Sequence, residues 1–306
     1  MASKQHAILS ASGADRWIHC PPSARLCETY EDKGSDYAAE GTDAHALAEF
    51  KLKKVLGLPA DDPTDGLSWY SEEMDDCTSG YAEFVLEQVE AAKKACADPV
   101  VLIEQRVDFS RWVEQGFGTA DCVIIADGTL RVIDFKYGLG VLVSAEENPQ
   151  MQCYALGALE LFDDIYDIDQ VSMTIYQPRR QNVSTFDISK DDLYRWADEV
   201  LKPTAVLAFA GDGNFLCGEW CGFCKARNEC RARAEANLRL AQYDFKLPPL
   251  LTDTEIEVIL SELDELISWA SDIKEYALQQ ALSGKEWNGW KLVEGRCNRK
   301  YSNEAS

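Results

Sequence analysis

Positive charge is scarce in this chain: 30 Lys and Arg stand against 53 Asp and Glu, a formal charge of −23 over 306 residues. Taken alone, that balance opposes association with a phosphate polymer, because the net field repels it. Long apolar runs are missing as well. Stretches such as Thr204–Ala210 and Val123–Ala126 fall far short of the roughly 18 residues a bilayer-crossing helix needs, so no membrane span is expected. The opening residues, MASKQHAILSASGADRW, have no sustained apolar region followed by a small-residue cleavage site. A secretory signal is therefore not expected, and the default location is the cytoplasm. No internal repeat is visible.

The acidic excess is uneven. Asp61, Asp62, Asp65, Glu72, Glu73, Asp75 and Asp76 form one block and 253–264 another, whereas basic residues gather at Arg179–Arg180 and over Lys225–Arg239, with Arg227, Arg231 and Arg233. A local basic surface is expected there. Cysteine is plentiful, with 11 residues. Cys27, Cys77, Cys96, Cys122, Cys153 and Cys297 are scattered, but Cys217, Cys221, Cys224 and Cys230 crowd together. Thiols at such density in a reducing compartment usually hold metal, and zinc on these four is one solution.

Hydrophobic periodicity predicts a short helix around Ala11–His19, capped at Ser10 or Ser12 and stopped by Pro21–Pro22, and a second over Tyr37–Val55. A loop over 58–70 and a helix over 72–97 follow. The period then changes to two. Val100–Val107, Thr119–Ala126 and Thr129–Phe135 read as strands, the last two joined by an Asp127–Gly128 turn. Pro149 opens a helix bearing Met151, Tyr154, Ala155, Ala158, Leu159 and Phe162. Strands at Gln170–Gln177 and Asn182–Ile188 and a helix over Ser189–Ala208 complete the pattern, with a helical stretch at Arg231–Gln242 beyond it. Past the Leu247–Leu250 linker lie an amphipathic helix over Thr252–Leu282 and a strand-like Trp290–Val293. This order suits an α/β fold, a mixed sheet flanked by helices.

The Asp127–Gly128 turn pairs residue i with residue 255 − i and so sets Asp121 opposite Asp134. Alternation along the strand turns Lys136 to the same face. Two facing carboxylates in an apolar hairpin are costly unless positive charge lies between them. Mg²⁺ or Mn²⁺ suits such oxygen ligands, and with a lysine beside it the set fits phosphodiester hydrolysis. The alternative is an ordinary Asp134–Lys136 salt bridge with Asp121 as a polar residue near a turn.

Gly118-x-x-Asp121, Asp134-x-Lys136 and Gln150-x-x-x-Tyr154 resemble the ordered motifs of RecB-like PD-(D/E)XK nucleases, and Glu40-Gly-Thr-Asp-Ala-His45 resembles the helical motif that precedes them. The resemblance spans about residues 10–235. It implies a restriction-endonuclease-like core with His45, Asp121 and Asp134 as metal ligands, Lys136 as catalytic lysine, and Gln150 and Tyr154 orienting substrate or lysine. Glu104 either adds a carboxylate or pairs with Arg106. Within the same superfamily, nucleases related to AddB and the CRISPR-associated exonucleases bind a 4Fe-4S cluster. Trp17-Ile-His-Cys20-Pro-Pro and Cys221-x₂-Cys224-x₅-Cys230 are similar to its ligand motifs. On that resemblance Cys20, Cys221, Cys224 and Cys230 are the ligands, with Cys217 the competing fourth. Trp220 and Phe223 either stack on bases or pack around the cluster.

The resemblance is nearest to a phage- and prophage-encoded family of RecB-like proteins. It implies a metal-dependent DNA exonuclease, or at least a nuclease, acting in recombination, replication or processing. The expected division is a nuclease domain over 1–245 and, outside the resemblance, a C-terminal helical extension with a short β segment over 246–306. The implied partners are DNA with single-stranded ends, phage recombination or single-strand-binding proteins, and further copies of the chain. Two other classes remain open: a non-catalytic DNA-binding or scaffold protein that retains the fold, and an acidic DNA-mimic inhibitor suggested by the charge.

Overall fold

The computed structural model describes residues 7–31, 34–240 and 251–293. It divides into two compact units, Met1–Leu216 and Cys217–Ser306. The expected 245/246 boundary and its Leu247–Leu250 linker lie outside the described residues.

In the first unit, α1 (Ala14–His19), α2 (Ser23–Glu28), α3 (Asp36–Val55) and α4 (Glu72–Ala95) precede β1 (Val100–Asp108), β2 (Phe117–Ala126) and β3 (Gly128–Phe135). Next come α5 (Pro149–Phe162), β4 (Ile168–Gln177), β5 (Asn182–Ser189), α6 (Lys190–Trp196) and α7 (Lys202–Ala210). The long helices begin where capping chemistry directs. Ser35 Oγ accepts from Ala38 N and Ser71 Oγ from Met74 N, while Asn148 Oδ1 accepts from Gln150 and Met151 ahead of Pro149. Ser10 does not cap with its side chain; a 3-10 turn leads into α1 instead. The helix expected across 189–208 is broken by a π-helical segment, Ala197–Leu201. Pro203 lies two residues beyond it and lacks an N–H, so the regular ladder is interrupted there.

The strands form one mixed sheet in the order β1-β2-β3-β4-β5, with β3–β4 parallel and the other pairs antiparallel. Helix α5 is the crossover between the parallel strands. It is buried on every side from Met151 to Leu159, more than the one-sided stripe its sequence suggests, because it packs on β1–β4 and also against α1 and α6. Helices α3 and α4 cover the opposite face. Side-chain alternation therefore divides the sheet between two cores: Val123, Leu130 and Val132 pack toward α5, and Cys122, Ile124, Ile133 and Phe135 toward α3 and α4.

In the second unit, α8 (Arg231–Leu238) and α9 (Asp253–Leu282) follow a 3-10 turn at Glu219–Phe223. A capping box between Thr252 and Glu255 starts α9. None of the residues of α9 is fully buried. Its strongest anchor is polar, since Arg233, wholly buried, holds Glu265 at 2.7 Å and also Asp272. Trp290–Val293 is not a strand. Trp290 and Val293 are 83% and 73% exposed, and among the described residues no strand pairs with them.

Candidate functional site

The β2–β3 register is the one set by the turn: Ala126 pairs with Thr129, and Cys122 with Ile133. Asp121 and Asp134 would be the next pair, and there the ladder stops. Phe135 N–H donates instead to Asp121 Oδ2 at 2.7 Å. A side-chain carboxylate thus takes the place of a backbone acceptor, leaving its second oxygen for other partners.

The partners come from both faces of the sheet. From α3, His45 Nδ1 reaches Asp121 Oδ1 at 3.2 Å, its ring edge-on to Phe135. From α5, Gln150 Nε2 donates to Asp134 Oδ1 and to the Tyr154 hydroxyl, both at 3.1 Å, while Gln150 Oε1 accepts from Lys136 Nζ at 3.2 Å. Gln150 and Tyr154 share a helix face by their i, i+4 spacing. Lys136 Nζ also lies 3.0 Å from Asp134 Oδ2. That oxygen is buried, and its contact with the ammonium is an ion pair without a well-directed hydrogen bond. Gly118 is needed for the packing: a Cβ there would stand 2.6 Å from the Tyr154 ring.

Glu104 completes the group. Its backbone is left-handed, with φ +50° in the middle of β1, strain of about 1–3 kcal/mol for a residue with a side chain. The ladder pairs Ile103 with Cys122 and Gln105 with Ala120, so the interruption faces Asp121. The ligand atoms of His45, Glu104 and Asp121 all lie within 4.8 Å of one another. Among the sequence-derived metal residues, His45 and Asp121 are in this cluster; Asp134 is engaged by Lys136 and Gln150 beside it.

Electrostatics describe a group short of positive charge. Partial burial works against the His45 imidazolium, but Asp121, by charge and hydrogen bond, and then Asp134 outweigh it and hold the ring up to about 9. Burial opposes the Asp121 charge too; His45, the Phe135 N–H and Lys136 overcome it and keep this carboxyl below its ordinary value. At Asp134 burial wins, reinforced by Asp121, and the carboxyl lies above its usual range despite Lys136. Burial disfavours the Lys136 ammonium, but Asp134 and Asp121 more than compensate, so it stays charged at neutral pH. Three carboxylates therefore face one ammonium and one imidazolium. Exchanging the imidazole proton for a divalent cation would neutralise the group, and one nitrogen with carboxylate oxygens is a donor set for Mn²⁺ or Mg²⁺.

The basic surface expected at Arg179 is not available. Arg179 lies over the Tyr137 ring and is held by Glu40 at 3.2 Å and Glu73 at 3.0 Å. Glu40 of the upstream motif is thus an ion-pair partner of arginine. In the Lys225–Arg239 stretch Arg227 pairs with Asp272, and Arg233 with Glu265 and Asp272. Cys20 is buried in the first unit, where it ends α1. In the second, Cys221 and Cys224 are buried, and Cys221 donates to the Cys217 sulfur, holding Cys217 below the ordinary thiol value. Phe223 is 72% exposed, so it does not pack inward.

Sheet, crossover helix and a carboxylate–lysine group at the end of β3 define an α/β protein with a candidate divalent-metal centre. The chain belongs to the family described as Protein of unknown function (DUF2800), which it matches over residues 6–306. A provisionally named exonuclease from Eubacterium rectale is similar in structure at 11% identity and a TM-score of 0.40, over 76% of this chain and 93% of that one. The protein SSO0001 is similar at 16% identity and a TM-score of 0.26, over 61% of this chain and 94% of that one.

Metal ligation needs a neutral imidazole. Mn²⁺ added to metal-free protein at pH 7 is therefore expected to expel the His45 proton, with affinity rising with pH until about 9. Without metal the sign reverses: the His45–Asp121 contribution to stability is complete below 6.5 and is lost as pH rises through about 9. Calorimetry in buffers of different ionisation enthalpy should report release of about one proton. No release would remove His45 from the ligand set.

Proposed function

We propose that this protein is a metal-dependent deoxyribonuclease, an exonuclease that hydrolyses phosphodiester bonds at single-stranded DNA ends. The observation carrying this reading is the part-buried Asp134–Lys136–Gln150 contact set lying beside the His45, Glu104 and Asp121 cluster. His45, Glu104 and Asp121 would hold the cation, with Asp134 next to them. A bound divalent ion supplies Lewis-acid polarisation of the phosphoryl oxygen and acidifies water.

The chain's own residues do the rest. Lys136 keeps its proton at neutral pH, so it acts as a charge donor to the phosphoryl group and not as a base. Gln150 fixes the Lys136 head by accepting from Nζ, and Tyr154 in turn accepts from the Gln150 amide, so a helix buried on all sides sets the lysine position. The resemblance adds the cellular setting, phage DNA recombination, replication or processing, with recombination and single-strand-binding proteins as partners. The overall charge of −23 favours a second reading, an acidic DNA mimic, in which the protein neither needs metal nor turns over substrate.

End-labelled single- and double-stranded DNA incubated with purified protein and Mn²⁺ separates the two readings. The expected result is metal-dependent shortening that falls about a hundredfold or more in Lys136→Ala and Asp134→Asn. Wild-type cleavage that survives in Lys136→Ala would defeat the site assignment; absence of cleavage by wild type with Mn²⁺ would favour the mimic.

The cysteines carry a separate expectation from the resemblance: a 4Fe-4S cluster on Cys221, Cys224 and Cys230 with Cys20 as the fourth ligand, or zinc with Cys217 in that role. Anaerobically purified protein should contain iron, and Cys20→Ser should lose it while Cys217→Ser keeps it. Unchanged iron in Cys20→Ser, or stoichiometric zinc, would contradict the cluster as assigned.

A further inference from the structure

The segment between β3 and α5 opens immediately after Lys136 and exposes apolar side chains: Leu139 is 50%, Val141 60% and Leu142 56% accessible. Branched side chains on a connecting loop usually turn inward, since exposure forfeits roughly 25 cal/mol per Å². Here the backbone is fixed so that they cannot. Gln177, 2% exposed, donates from Nε2 to Gly138 O at 3.1 Å and Val141 O at 2.9 Å, and its Oε1 accepts from Val143 N at 3.3 Å. Asn182 Nδ2 donates to Val143 O at 2.9 Å, and Arg180 Nη1 to Leu139 O at 3.4 Å. One buried amide and two flanking side chains thus hold the loop from beneath. Around Gly138 and Gly140 a Cβ would meet nothing within 4 Å.

Two features select what this surface contacts. The first is reach: Leu139 is three residues and Leu142 six residues beyond Lys136. At full extension these are within roughly 10 and 20 Å, a few nucleotides from a phosphate held at Lys136. The second is charge. Arg180 is exposed and, among the described residues, forms no ion pair, whereas the adjacent Arg179 is occupied by Glu40 and Glu73. An apolar tip with a cation at its base matches a nucleotide, whose base presents an apolar face and whose phosphate is anionic.

We propose that the 138–142 loop is a nucleic-acid wedge. Leu139, Val141 and Leu142 press against the face of an unpaired base flanking the scissile phosphate, and Arg180 contacts the neighbouring phosphate. Aliphatic side chains inserted against base steps are an established way to unstack them. The choice of occupant rests on the nuclease reading above.

Binding and chemistry are measured apart. Fluorescence anisotropy of a labelled single-stranded 20-mer, with Ca²⁺ in place of Mn²⁺, is compared for wild type, the double variant Val141→Ser/Leu142→Ser, and Arg180→Ala. The double variant is expected to bind about tenfold more weakly. Arg180→Ala should weaken binding several-fold and flatten the salt dependence. Thermal midpoints verify that both remain folded. Mn²⁺-dependent hydrolysis of bis(p-nitrophenyl) phosphate reports the centre without a polymer, and any loss there should be at least fivefold smaller than the loss in oligonucleotide binding. Binding within twofold of wild type would overturn the wedge. So would a wild-type dimer that the double variant converts to monomer without changing oligonucleotide affinity, since the occupant would then be a second copy of the chain. A wild type that binds through the loop but leaves the ester intact would sink the nuclease reading and keep the wedge.

Discussion

Two carboxylates on facing strands, Asp134 buried and Asp121 nearly so, are the constraint around which the first unit is organised. The turn register places Asp121 and Asp134 together at the point where β2–β3 pairing ends, and like charges so placed repel unless compensated. Each neighbouring feature answers that repulsion: the Phe135 N–H and His45 at Asp121, and Lys136 and Gln150 at Asp134. Glu104 runs the other way. It adds a third carboxylate in a strained backbone conformation, against the interest of stability alone. Local strain that brings a third carboxylate to such a pair is typical of functional sites and fits a candidate divalent-cation centre.

The layers are arranged to hold these side chains still. His45 approaches from a helix on one face, and Gln150 and Tyr154 from the crossover helix on the other. The end of β3 is therefore gripped from both cores. Gly118, whose missing Cβ makes room for the Tyr154 ring, shows how closely the crossover helix approaches β2. The same economy governs positive charge. Arg179 ties α3 and α4 to the β4–β5 turn through Glu40 and Glu73, and its neighbour Arg180 remains exposed.

Much of this was legible in the sequence because it depends on local periodicity. The hairpin register followed from one turn dipeptide, and the convergence of Asp121, Asp134 and Lys136 followed from that register. Of the helix-start signals, Pro149 does stand in the first turn of α5, whereas Ser10 does not cap α1 with its side chain. Glu104 was harder to place, because the β1–β2 connection is long and irregular and its register cannot be fixed from turn chemistry. Its left-handed φ has no sequence signal either. The pairing of Arg179 and Arg233 with acids distant in sequence is tertiary information, so clusters of basic residues misleadingly suggested open cationic surface. Trp290–Val293 has strand composition, but among the described residues no strand pairs with it, and composition alone does not make a ladder.

The carboxylate–histidine group of His45, Glu104 and Asp121 is the candidate divalent-cation site. The chain has three histidines, so pulsed electron paramagnetic resonance of bound Mn²⁺ gives an unambiguous answer. Nitrogen modulation from one directly coordinated imidazole is predicted for wild type and should vanish in His45→Gln. Modulation that persists in the variant, or that never appears in wild type at saturating Mn²⁺, would contradict the account.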